Sequence, residues 1–229
     1  MITIRNHTER GIQQQGWLDS RHSFSFGSYY DPDHTGVSVL KVINDDSVKP
    51  GAGFAMHSHQ DMEIISYVKR GKIEHKDSMG NIKQLSAGEF QLMSAGSGIK
   101  HSEYNPSCDE VVEFLQIWIE PDQYGITPRY QQNKFIPANG LQLIISPDVQ
   151  DDVLHMHQDA YLYQLILEPE QRLNYDIATG RTLYMHLVCG EIIVNGERIV
   201  AGDGVTIKNM KNTQWSGLSH SEALLFDLP

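Results

Sequence analysis

The sequence predicts an all-β chain made of two tandem sandwich-type barrels of one design. Three observations carry this: turn signals recur at short intervals, the runs between them alternate in apolar character, and the second half weakly repeats the first. Turn signals stand at DPDHTG (31–36), KPGAG (49–53), KRGK (69–72), SMGN (78–81), SAGSG (94–98) and NPSCD (105–109), and again at ATGR (178–181), NGER (195–198) and AGDG (201–204). Between them lie runs such as SVLKVIND, EIISYVKR, LYMHLVCG and EALLFDLP, rich in β-branched, aromatic and Met residues. TPRYQQNKF, 127–135, is the one stretch that can hold a short helix.

The repeat pairs EIISYVKRGKIEH (63–75) with TLYMHLVCGEIIVNG (182–196), each a strand, a Gly turn and a strand. It pairs LSAGEFQLMSAG (85–96) with IVAGDGVTIKNM (199–210). The offsets are similar, 119 residues from Gly71 to Gly190 and 114 from Gly88 to Gly202. Two units follow, 1–137 and 138–229, with the boundary at PANG (137–140).

Composition narrows the class of function. The 229 residues suffice for a sizeable core, and 40% apolar with 21% charged residues is ordinary for a folded soluble protein. A net charge of −11 suits neither phosphate backbones nor anionic membranes, so no direct nucleic-acid partner is expected. No apolar run is long enough to span a bilayer, and MITIRNHTERGIQQQGW lacks the apolar core of a signal peptide. Cys108 and Cys189 lie far apart and form no CxxC, which fits reduced thiols and a cytoplasmic location. A two-barrel chain can bury its own internal interface, so a monomer is the expectation.

The chemistry concentrates in FAMHSHQDMEII (54–65). In a strand, residues i and i+2 share a face about 6.5–7 Å apart, so His57 and His59 present two imidazoles side by side. His101-Ser102-Glu103 repeats the device with one imidazole and one carboxylate. Two such pairs on facing strands supply three nitrogens and one oxygen, a set suited to iron(II), manganese, nickel, copper or zinc. Glu63 stands four residues past His59, roughly 13 Å along a regular strand, out of reach unless the chain bulges or turns at Gln60–Met62. Geometry therefore favours Glu103 as the fourth ligand and leaves Glu63 to orient a ligand imidazole from outside.

Gly51-x5-His57-x-His59-x3-Glu63 with Gly71 resembles the first cupin motif. Gly88-x5-Ser94-Ala95-Gly96 followed by His101-x3-Asn105 resembles the second, with Ser94 in place of the usual Pro. GWLDSRHSFSFGSYYDP, GFAMHSHQDMEIISYV, EFQLMSAGSGIKHSEYNP, LQIWIEP and GITPRY resemble the signature segments of one cupin branch, the pirins. The resemblance implies a bicupin: two jelly-roll barrels, a metal-binding N-terminal domain (1–137) and a degenerate C-terminal domain (138–229) without metal ligands. It implies His57, His59, His101 and Glu103 as ligands of one divalent transition metal, iron(II) foremost, with nickel, manganese, copper, zinc and cobalt as alternatives. Carried across by the offsets, His57, His59, Glu63 and His101 become Asp176, Ala178, Thr182 and Trp215, which form no metal set.

Bacterial pirin-like proteins are associated with quercetin 2,3-dioxygenase activity. The resemblance therefore implies an oxidoreductase that opens a flavonol's central ring with O2 and releases CO, with Glu103 as the general base for the 3-hydroxyl. Pirins are also known as co-regulators, which makes a metal-dependent protein partner without turnover the alternative. His155-Met156-His157 has no second ligand pair in its half and reads as a packing feature. His7, His22, His34, His75, His186 and His220 read as surface or core histidines, with His22 near enough to Phe24 and Phe26 to approach a pocket. Phe24, Phe26, Phe54, Met56, Phe90, Met93, Phe114 and Trp118 read as core, some lining the barrel mouth.

Overall fold

The computed structural model describes residues 1–229. Strand β1 (Ile2–Arg5) is followed by a 3-10 turn at His7–Glu9, the only helical segment. Strands β2 (Gly11–Gln15), β3 (Leu18–His22), β4 (Leu40–Val48), β5 (Gly53–His59), β6 (Glu63–Arg70) and β7 (Lys72–Asp77) come next. Strands β8 (Ile82–Ser86), β9 (Glu89–Ser94), β10 (Ile99–Tyr104), β11 (Val112–Ile119) and β12 (Arg129–Lys134) complete the first half. Then come β13 (Gly140–Ser146), β14 (Leu154–His155), β15 (Tyr161–Leu167), β16 (Arg172–Asp176) and β17 (Thr182–Cys189). Strands β18 (Glu191–Val194), β19 (Glu197–Val200), β20 (Gly204–Ile207), β21 (Asn212–Gly217) and β22 (Ser221–Leu228) close the chain. No helix is long and apolar enough to cross a membrane.

The fold is all-β, as the turn spacing predicts, and each unit is a sandwich of a large and a small sheet rather than a closed barrel. In the N-terminal unit the large sheet runs β12-β9-β6-β11-β4-β3-β2 and the small one β5-β10-β7-β8. Val48, Val68, Val112 and Phe114 of the large sheet pack on Ile73 and Leu85 of the small one, which joins the two faces. In the C-terminal unit β20-β17-β22-β15 repeats the order β9-β6-β11-β4, and β16-β21-β18-β19 repeats β5-β10-β7-β8. The internal repeat read from the Gly turns is thus a repeat of topology. Gly71 and Gly190, which anchor it, both adopt a left-handed φ (+79° and +81°) between paired strands, where a side chain would press on backbone of the next segment.

Two expectations are corrected. The stretch 127–135 holds no helix: β12 pairs with β9 from Arg129↔Ser94 to Lys134↔Glu89. It has no apolar stripe at helical spacing, and as a strand it satisfies the open edge of β9. Nor do the units divide at one point near residue 137. One unit comprises Gly11–Phe135 and Asp148–Gln158; the other comprises Met1–Arg10, Ile136–Pro147 and Asp159–Pro229. The reason is edge protection. Strand β1 pairs with β20 (Ile2↔Ile207 through Arg5↔Gly204), so the chain's first residues belong with the C-terminal unit. Segment 148–158 covers β12, whose Gln131 amide bonds the His155 backbone in both directions and whose Asn133 amide donates to Asp152 O.

The C-terminal unit is filled where the N-terminal one is open. Fully buried Trp215 stacks on Tyr175 with ring centroids 5.8 Å apart, within a core of Leu, Ile, Val and Met side chains. Trp215 lies opposite Leu173, not Asp176, so the 119-residue offset does not hold across this strand pair. Replacing Trp215 by Ala is expected to cost about 3–5 kcal/mol of stability, read from denaturant midpoints. A loss below about 1 kcal/mol would show that the ring does not organise this core.

Candidate metal centre

Strands β5 and β10 pair antiparallel with His101 directly opposite His57 and Ile99 opposite His59. The register then slips: Glu103 lies opposite Phe54, so β5 carries an extra residue. This bulge at Ala55–Met56 brings Phe54 onto the same face as His57 and His59, although 54 and 57 differ by an odd number. Cross-strand pairing and the i, i+2 repeat together converge three imidazoles. Ring centroids are 4.7 Å apart for His57–His59, 4.5 Å for His57–His101 and 4.9 Å for His59–His101. Their nearest ring nitrogens all lie within 4.8 Å of one another.

The protonation pattern suits coordination. His57 Nδ1 donates to Ala55 O at 2.7 Å, which leaves Nε2 with a free lone pair. Both ring nitrogens of His101 are buried without a hydrogen bond. Burial, then the neighbouring imidazoles, lower His59 to about 4 and His101 to about 3. Both are therefore neutral near pH 7, the form that ligates a metal. An orphaned buried imidazole beside two others is costly without a partner, and a divalent cation is the partner this donor set fits.

Glu103 is buried behind His101, and its Oε1 accepts from Ser66 Oγ at 2.9 Å. Its carboxylate and His101 lie with His75 in a second group whose ligand atoms are within 4.8 Å. Glu63 takes no part in either group. The chain does turn at Gln60–Met62, with Asp61 at φ +47° and its Oδ1 accepting from Gly125 N at 2.7 Å. The turn starts β6 in the large sheet, where Glu63 accepts from Ser94 Oγ at 2.8 Å and from the His157 backbone. Ser94, the residue that departs from the cupin pattern, is thus the hydroxyl partner of Glu63.

A cavity of about 380 Å³ opens beside His57 and His59. Its walls combine Trp17, Phe26, Phe54 and Trp118 with Gln13, Gln15, Ser20, His22, Asn44 and Gln116, and contain no Lys or Arg. Trp118 meets His59 edge-on at 5.0 Å, and His22 stacks on Phe26 at 5.3 Å. Phe24, Phe90, Met93 and Phe114 are core, and Met56 points outward.

Comparison with known proteins places this arrangement. Residues 5–119 match the family model described as Pirin. The chain belongs to the pirin family. Residues 143–228 of this pirin match the model described as Quercetinase C-terminal cupin domain. The Escherichia coli (strain K12) protein named quercetin 2,3-dioxygenase is 49% identical over 229 residues, spanning 100% of this chain and 99% of its own. The crystal structure of YhhW from E. coli matches with a TM-score of 0.98 at 49% identity, covering 100% of this chain and 98% of that one. The structure of the bacterial pirin YhhW in complex with nickel(II) matches at 0.97 and 48% identity, covering 100% and 99%.

Sequence reasoning missed the wall behind Glu103 in this pirin. His75 lies directly opposite Glu103 on β7, and His101 opposite Asp77. His75 Nε2 donates to Asp77 Oδ2 at 3.0 Å; Asp77 also accepts from the Met79 and Asn81 backbone and the Asn81 amide. His75-Lys76-Asp77 has the same i, i+2 spacing as the ligand pairs, which was the available signal. His155 and His157 have rings 4.8 Å apart, but Arg129 bonds His155 Nδ1 at 3.2 Å.

Burial raises Glu63 from 4.5 to about 7. Between these values the folded chain holds a proton that the unfolded chain releases, so this contribution to stability is present below about pH 4.5 and lost as pH rises through about 7. Glu63→Gln should flatten the fall of Tm with rising pH across that window; parallel Tm curves for variant and parent would refute the assignment.

Proposed function

We propose that the protein is a metal-dependent dioxygenase of quercetin-type flavonols, cleaving the central ring at the 2,3-bond with O2 and releasing CO. His57, His59, His101 and Glu103 are the proposed ligands of one divalent transition metal. The carrying observation is the juxtaposition of three converged imidazoles with an apolar, cation-free cavity of about 380 Å³. That volume lies in the range of small-molecule sites, and aromatic walls with a few placed amides suit a flat polyphenol rather than a small carboxylate. A bound transition metal would supply Lewis acidity and the ability to react with O2.

The chain's residues divide the remaining work. Glu103, buried beside the imidazoles, is the acceptor for the 3-hydroxyl proton. Ser66, donating to Glu103 Oε1, holds that carboxylate in place beside His101. Trp118 and Phe26, meeting edge to face at 5.3 Å, form an apolar wall that excludes water from the reacting ring. The name of the E. coli relative supports the substrate, and the nickel complex of YhhW supports the metal centre.

Iron- or nickel-loaded protein should bleach the long-wavelength flavonol absorbance in air and stop under argon. Equal bleaching by a His57→Ala/His101→Ala double variant would sink the reading. Glu103→Ala should weaken metal retention by roughly tenfold or more, while Glu63→Ala retains metal near the parent level in a chelator competition. The reverse order would assign the ligand role to Glu63.

A further inference from the structure

We propose that Asn44 and Gln116 form a donor–acceptor pair in the cavity wall that recognises a phenolic hydroxyl of the substrate other than the one directed to the metal. The inference rests on the flavonol reading above. It starts from the sheet register: Gln116 of β11 and Asn44 of β4 are direct cross-strand neighbours, and both line the cavity. Two short side chains opposite each other present their amide groups side by side. Asn44 is 2% and Gln116 8% exposed, so what they offer is offered to the cavity and not to bulk water.

Each amide is oriented from behind. Gln116 Nε2 donates to Asp46 Oδ2 at 2.7 Å. The nitrogen is thereby turned toward the carboxyl group, and Oε1, an acceptor, is left for the cavity. Asn44 is held the opposite way round: His22 Nδ1 donates to Asn44 Oδ1 at 2.7 Å. That leaves the Asn44 Nδ2 protons, which are donors. The hydrogen bonds of these two amides run through Gln116 Nε2 and Asn44 Oδ1, which leaves Gln116 Oε1 and Asn44 Nδ2 open to a ligand in the cavity. The wall therefore carries one donor and one acceptor on directly paired residues, both open to the cavity.

A phenolic hydroxyl answers both atoms at once. Its proton goes to Gln116 Oε1, and its oxygen accepts from Asn44 Nδ2. A carboxylate has no proton to give and would face both Oε1 and the Asp46 carboxyl group behind it, with no Lys or Arg in the lining to compensate. A methyl ether can accept but not donate. The pair thus selects for a free hydroxyl on the ring system. Burial, with the charges of Asp45 and Glu103, holds Asp46 up near 7, so its partner Gln116 is not drawn into a fully charged network.

The test is an equilibrium titration, under argon, of nickel-loaded protein with quercetin and with 3-hydroxyflavone, which keeps only the hydroxyl directed to the metal. The parent should bind quercetin roughly tenfold tighter or more. In Gln116→Met the quercetin advantage should shrink toward unity, with 3-hydroxyflavone affinity changed by less than about twofold. Asn44→Ser, a smaller change, provides a second variant should Gln116→Met fail to fold, and should reduce the same ratio. Binding of both compounds with an unchanged ratio in the variants overturns the hydrogen-bond pair and leaves the flavonol reading standing. Failure of both compounds to bind the metal-loaded parent overturns the flavonol reading itself.

Discussion

The pairing of β5 with β10 is the constraint on which the site depends. It sets His57 directly against His101, and the i, i+2 spacing of each strand then delivers His59 and Glu103. A shift of one residue would turn one strand's pair to the opposite face, leaving two imidazoles on one side of the small sheet and one imidazole with the carboxylate on the other. The bulge in β5 resolves the conflict that follows. It keeps the histidines in register with β10 while rotating Phe54 inward, so the wall of the cavity and the imidazole-bearing face of β5 are the same surface.

Around that surface the structure separates two kinds of buried carboxyl group. Glu103 lies beside the imidazoles, with a single hydroxyl to steady it. Glu63 and Asp46 are set back into the large sheet, where burial raises both toward 7 and a Ser or Gln partner holds each. All three are acids of one unit, yet only one shares a cluster with His101. Environment and not residue type distinguishes them.

The C-terminal unit shows the same topology put to another use. Where the N-terminal unit places His101 against His57, the C-terminal unit places Trp215 against Leu173. A large ring now occupies the interior and stacks on Tyr175. One strand order thus supports either a donor-lined cavity or a filled core, because the topology specifies which positions face inward and says nothing of what fills them.

By itself the sequence determined the all-β class, the repeat of topology and the identity of the converging residues, because turn chemistry, strand alternation and i, i+2 spacing are local properties. The clustering of His57, His59 and His101, and of Glu103 with His101, was legible for that reason, whereas reach alone did not decide Glu63, because the chain does turn at Gln60–Met62. Tertiary structure decided what depends on register between distant strands. It placed His75 opposite Glu103 and Gln116 opposite Asn44, and it paired Ser94 with Glu63. It also assigned residues 1–10 to the C-terminal unit and made 129–134 a strand, because an open sheet edge takes whatever segment can satisfy its hydrogen bonds. Such choices are made between segments far apart in the chain, and no single stretch of sequence contains them.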